Sequence, residues 1–170
     1  VEAAVLSHGH SDHTGAMKAF GNAIGKKNLP LVLHPAAFKT PRYLKVGEEI
    51  KVYFPKLTHE MVKEAGFDPA ESEVPTSLLE DHFLFLGGIP RRTDFEKGFP
   101  TAHRLDNGKE VWDAIEDDTS VVMHLKGKGL VILSGCAHAG IVNTVQYAVD
   151  VTGVSQVHAV MGGFHLSGPI

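Results

Sequence analysis

The segment Ser7-His8-Gly9-His10-Ser11-Asp12-His13 places three imidazoles and a carboxylate within six residues. His8 and His10 stand two apart just past a short apolar run. In extended backbone that spacing puts both rings on one side of the chain. Asp12 and His13 follow where the chain turns into a helix, so they approach the same space from another direction. Such a nitrogen/oxygen donor set suits zinc, manganese or iron(II). The competing reading is a histidine-rich surface loop. The position of the cluster between an apolar strand and a helix bearing Met17 and Phe20 argues against it. Histidine is abundant throughout, at eleven in 170 residues, about three times an ordinary share.

Two further segments offer donors. Cys136 and His138 lie in LSGCAHAG, and His165 lies in MGGFHL. Both segments follow apolar runs and adjoin glycines. In open α/β sheets ligands gather beyond the carboxyl ends of strands. Three strand ends, after Leu6, Leu133 and Met161, each deliver histidine, and that convergence is the argument for one shared site. Taken singly, His138 or His165 is more often a hydrogen-bonded structural residue. Cys136 and His138 share a face in a regular strand, which leaves a thiolate–imidazole pair open. Nothing else supplies an oxyanion hole, so Cys136 reads better as a small buried residue or a neighbour of the ligands. Arg91 and Arg92 could clamp a phosphate or carboxylate. The alternative is a solvated turn pairing with Asp94 or Glu96, and adjacent residues in extended chain point oppositely, so at most one faces a ligand. His34 reads as structural, and His59, His82, His103, His124 and His158 show no partner pattern.

The elements that must position these groups are legible at both ends. Residues 3–6 read as a short buried strand. Ser11 is expected to cap a helix over 12–24, with Met17, Phe20 and Ile24 on its buried stripe. Residues 29–34 read as a second strand. Residues 35–110, punctuated by Pro41, Pro55, Pro69, Pro75, Pro90 and Pro100, read as a loop-rich insertion with edge strands near 50–54 and 83–86. Residues 119–125 and 130–133 flank a Lys-Gly-Lys-Gly turn and predict a hairpin, its second strand covered on both faces. Ile141, Val145, Ala148 and Val149 predict a helix stopped by Gly153, and 157–161 a last strand. Strand–helix–strand units around a hairpin imply a layered α/β domain.

Composition narrows the function classes. The chain is 43% hydrophobic and 21% charged, with 16 basic against 20 acidic residues and a net charge of −4. That is a globular composition, here read as a single domain over 1–170, and a poor one for gripping a phosphate backbone, so no nucleic-acid partner is expected. No apolar stretch approaches the roughly 20 residues that span a bilayer, and no leader pattern opens the chain. A single cysteine fits a reducing compartment, so the expected location is cytoplasmic and the expected partner a small molecule. The chain opens and closes on apolar runs, which predicts an internal piece of a longer protein, with parts of its site lying elsewhere.

SHGHSDHTG resembles the signature of the metallo-β-lactamase fold superfamily. GGIPRRTDFE, KGLVILSGCAHAGIVNTV and AVMGGFHLSG together resemble its dihydropteroate-synthase-like branch, often labelled 7,8-dihydropterin-6-methyl-4-(β-D-ribofuranosyl)aminobenzene-5′-phosphate synthase. The resemblance implies an αββα sandwich, here truncated at both ends, with a metal pair at one edge. It implies His8, His10 and His138 as ligands of a first ion and Asp12 and His13 as ligands of a second. His165 stands where other branches place a bridging acid or another ligand. The family's opening β-hairpin and a later histidine lie outside this chain. Two divalent ions are expected, zinc first, with manganese or iron as alternatives. Ions about 3.5–4 Å apart would activate a shared water and polarise a carbonyl or phosphoryl oxygen, with Asp12 orienting the hydroxide. The expected activity is metal-dependent hydrolysis of a small, phosphorylated or pterin-like molecule. The alternatives are the condensation the family label implies and a non-hydrolytic metal-binding or redox domain.

Overall fold

The computed structural model describes residues 1–166. The first apolar run forms β1 (Ala4–Val5), which pairs in parallel with β2 (Leu29–Leu33). Between them the single predicted helix is two, α1 (Ser11–Thr14) and α2 (Met17–Ile24). Ser11 is not the cap: His10 occupies that position without a side-chain capping bond. The N–H groups of His13 and Thr14 and the Thr14 hydroxyl all donate to the His10 carbonyl, which holds the first turn to the motif loop. In α2, Met17 and Ile24 reach the core as predicted, but Phe20 is 52% exposed. The buried face centres instead on Gly21, where a Cβ would overlap the Ala65 carbonyl oxygen.

The segment 35–110 is richer in strands than a loop-rich insertion. After a 3₁₀ turn at Pro35–Phe38 come β3 (Arg42–Val46), β4 (Ile50–Tyr53), α3 (His59–Glu64), β5 (Phe67–Glu71), β6 (Thr76–Leu78), β7 (Phe83–Phe85) and β8 (Ala102–Asp106). Most of these are short, which hides their alternation. Pro69 sits inside β5, the edge of its sheet, where a missing N–H is tolerated. The chain continues through β9 (Lys109–Trp112), β10 (Ser120–Leu125), β11 (Gly129–Ser134), α4 (Ile141–Thr152) and β12 (Val157–Met161). The predicted hairpin is β10–β11, with Leu125 opposite Gly129. Leu130 to Ile132 are buried, but Leu133 is not, so the double cover ends one residue early. α4 ends at Gly153 in the left-handed region (φ 69°), as expected of a C-terminal glycine.

Three sheets result. The orders are β1-β2-β5, all parallel; β12-β11-β10-β7-β6, mixed; and β4-β3-β8-β9, antiparallel. Leu6, Leu31, Leu33, Val62 and Phe67 form one core between the first sheet and its helices. Leu86, Val122, Leu130, Ile132 and Ala148 form another between the second sheet and α4. Each main sheet is thus backed by helix, and the loops after β1, β11 and β12 converge at one rim. Among the described residues no helix is long and apolar enough to cross a membrane.

Candidate metal centre

Two neighbouring aspartates hold the ligand loops in place. Gly9, between the two motif histidines, donates its N–H to Asp117 Oδ2 at 2.7 Å. A Cβ at Gly9 would overlap the Ala37 carbonyl oxygen, so this loop requires glycine. Asp118 accepts the Ala139 N–H at 2.9 Å, which steadies the loop bearing His138. Asp117 in turn is gripped by Arg42, whose Nη1 and Nη2 lie 3.0 and 2.5 Å from the two carboxylate oxygens. Arg42 Nε stands 3.0 Å from Asp113 Oδ2. All four residues are buried. Burial alone would raise Asp117, but the hydrogen bonds and charge of Arg42 outweigh it and bring the carboxyl down to about 2. Burial pushes Asp118 up to about 7, against the backbone N–H groups of Ala139 and His138. Sequence reasoning singled out none of these four. The acid pair in Glu116-Asp117-Asp118, just before an apolar strand, is the only trace they leave.

The ligand atoms of His8, His10 and His138 lie within 4.8 Å of one another. The three residues are buried, His8 to 1% exposure. Among the described residues, Nε2 of His8, Nε2 of His10 and both ring nitrogens of His138 have no hydrogen-bond partner. An orphaned buried polar atom costs about 1–3 kcal/mol, so one nitrogen from each of these three rings needs a common partner. A divalent cation fits, because imidazole nitrogens are its ligands and neutral rings its required form. Burial, then the neighbouring imidazoles, drives His8 down to about 2 and His138 to about 3; burial, then Arg42, lowers His10. The rings are therefore neutral at physiological pH.

The remaining predicted groups divide. His13 is close by. Its Nδ1 and that of His8 share the Ser7 hydroxyl at 3.2 Å each, and its Nε2 lies 3.1 Å from Cys136 Sγ. His8, His13 and Cys136 form a second group of candidate ligands, and Cys136, His138 and His165 a third. Cys136 therefore bonds His13 rather than His138, and burial pushes its thiol pKa up. His165 stacks on His138 with ring centroids 4.7 Å apart. Ala137 (φ 50°) and His165 (φ 47°) both adopt the left-handed region, local strain of the kind found at functional sites. Asp12 stays outside the three groups: its side chain is 71% exposed and approaches His13 Nε2 at 3.5 Å.

Arg91 donates to the Ala114 carbonyl at 2.7 Å and lines a cavity of about 380 Å³ with His34, Asp118 and Ala139. Arg92 points elsewhere and pairs with Asp150, not with Asp94 or Glu96. His34 is structural, accepting the Ala36 N–H at Nδ1. Two phenylalanines not singled out from the sequence flank the site: Phe54 lies 5.0 Å from the His10 ring, and Phe99 lies 5.8 Å from His138 and 5.4 Å from His165. Of the motif AVMGGFHLSG, Ser167 and Gly168 fall outside the described residues.

No protein-family model matches the chain. It is 34% identical over 175 aligned residues to the 7,8-dihydropterin-6-methyl-4-(β-D-ribofuranosyl)-aminobenzene-5′-phosphate synthase of Methanocaldococcus jannaschii, covering 98% of this chain and 56% of that protein. An uncharacterised protein of the same organism, MJ0448, is also 34% identical, over 96% of this chain and 57% of its own length. The chain thus spans a little over half the length of the curated relatives it matches. Among solved structures, Tm1679, a metal-dependent hydrolase of the β-lactamase superfamily, superposes with a TM-score of 0.78 at 23% identity, over 98% of this chain and 58% of that one. A quorum-quenching N-acyl homoserine lactone lactonase reaches 0.50 at 14% identity, over 100% of this chain and 62% of its own. At these identities the structural likeness establishes the fold alone, the αββα sandwich. Along nearly its whole length the chain thus resembles that pterin-phosphate synthase, and it shares with Tm1679 the metallo-β-lactamase-type fold.

Proposed function

We propose that the chain is the metal-holding part of a cytoplasmic enzyme acting on a small phosphorylated or pterin-like molecule. The reaction is hydrolysis or the condensation that the relative's name implies. The observation that carries this reading is the meeting of His8, His10 and His138, buried, with four ring nitrogens lacking partners. These three residues would hold the first ion, with zinc the best match to an all-imidazole set. A divalent ion bound there supplies Lewis-acid polarisation of a carbonyl or phosphoryl oxygen and acidifies water.

The chain's own residues do the rest. Asp117 and Asp118 keep the two ligand loops in register through Gly9 and Ala139. Ser7 bonds Nδ1 of both His8 and His13 and so orients their rings. Asp12, exposed beside His13, accepts a proton or orients an attacking group at its carboxylate. Phe54 and Phe99 restrict water on two sides of the histidines. Arg91, with its cavity, is the cation placed to meet an anionic group, whereas Arg92 is engaged by Asp150 at the surface.

The test is turnover of phosphoesters, lactones and reduced pterins by the longer protein, before and after chelation. Chelation should abolish turnover and zinc should restore it. Turnover that survives complete metal removal would overturn the reading.

A further inference from the structure

The Cys136 sulfur lies where three loops meet. Sγ is 3.1 Å from His13 Nε2 and belongs to both additional ligand groups, one with His8 and His13, the other with His138 and His165. A nitrogen and a sulfur bound to one tetrahedral zinc lie about 3.5 Å apart, given bond lengths of about 2.0 and 2.3 Å. The observed separation needs little adjustment to reach that value. Two further contacts fix the arrangement. The Ser7 hydroxyl bonds His13 Nδ1, which leaves Nε2 facing the sulfur. The Gly163 N–H donates to the Gly135 carbonyl at 2.7 Å, tying the loop of His165 to the loop of Cys136. An independent observation points the same way. Both ring nitrogens of His138 are buried without partners, one more than the first group of three histidines needs. Asp12, the carboxylate expected to serve a second ion, is largely exposed and joins neither group.

We propose that Cys136 is a ligand of a second metal centre, in which its thiolate and His13 Nε2 form the fixed pair. Binding replaces the S–H bond with a sulfur–metal bond and releases the proton to solvent, with no change of oxidation state. A thiolate favours zinc, cobalt or iron(II) over magnesium and manganese, so this second centre discriminates more sharply among metals than the all-histidine one. The proposal rests on the metal-site reading above, but sulfur ligation has its own signature.

The experiment is titration of the metal-free chain with Co²⁺. Binding at the sulfur gives a near-ultraviolet sulfur-to-cobalt charge-transfer band. Cys136→Ser should lose that band and bind one equivalent fewer, while keeping the visible bands of the histidine site. A second measurement needs no variant: saturating zinc should slow iodoacetamide alkylation of the single thiol at least tenfold. Two equivalents bound with no near-ultraviolet band and an unprotected thiol would overturn the proposal. Failure to bind any cobalt would overturn the metal-site reading and the proposal with it.

Discussion

At the scale of single residues, the site is a set of neutral imidazoles supported by buried charge. Arg42 is the keystone, because it meets both Asp113 and Asp117 where water does not reach. Arg42→Met should destabilise the chain by about 3–5 kcal/mol, since it leaves two buried carboxylates without a cation. Urea unfolding measures this, and a loss below 1 kcal/mol would contradict the account. The metal-ligand candidates were legible because His8, His10, Asp12 and His13 are contiguous and chemically distinctive. Arg42 and Asp117 were not, because they are 75 residues apart and nothing in either's local sequence announces the other. Asp12 was legible by the same spacing; its exposed carboxylate reaches His13 Nε2 at 3.5 Å but joins none of the three groups.

At the scale of elements, the strand–helix units at the two ends were readable from periodicity, and the packing between them was not. α2 illustrates why. Its apolar stripe nominated Phe20 for the core, but contact with the residues after α3 is made through Gly21, whose lack of a side chain lets the Ala65 carbonyl approach. Gly21→Ala sets two effects in opposition. Alanine gains about 1 kcal/mol of helix propensity, while overpacking against a backbone oxygen costs about 1–3 kcal/mol. The backbone cannot swing aside as a side chain can, so the second effect wins. The substitution should lower stability by up to about 2 kcal/mol in urea unfolding; a stabilised variant would show that α2 and Ala65 are not so closely packed. The strands of 35–110 were obscured for another reason. β6 and β7 are only three residues each, too short for alternation to stand out from the prolines around them.

At the scale of the whole molecule, the buried groups give the metal-free chain a defined response to acid. His8 and His138 fall from 6.5 to about 2 and about 3 on folding. Their contribution is complete above pH 6.5 and is lost as pH falls towards those values. Asp117, lowered from 3.8 to about 2, adds a loss below pH 4. Asp118, raised from 3.8 to about 7, acts with the opposite sign: its contribution is present below pH 4 and lost as pH rises to 7. Thermal melts without metal should therefore show stability falling between pH 6.5 and 4, and more steeply in Asp118→Asn, where the opposing group is gone. A variant with a shallower profile than the parent would contradict this assignment. The central claim remains that His8, His10 and His138 hold one cation at the rim where the loops after β1 and β11 meet. Elemental analysis after zinc loading and desalting tests it most directly. The parent chain should retain zinc at that site and the double variant His8→Ala/His10→Ala should lose one equivalent relative to it. Full parental zinc content in the double variant would contradict the account.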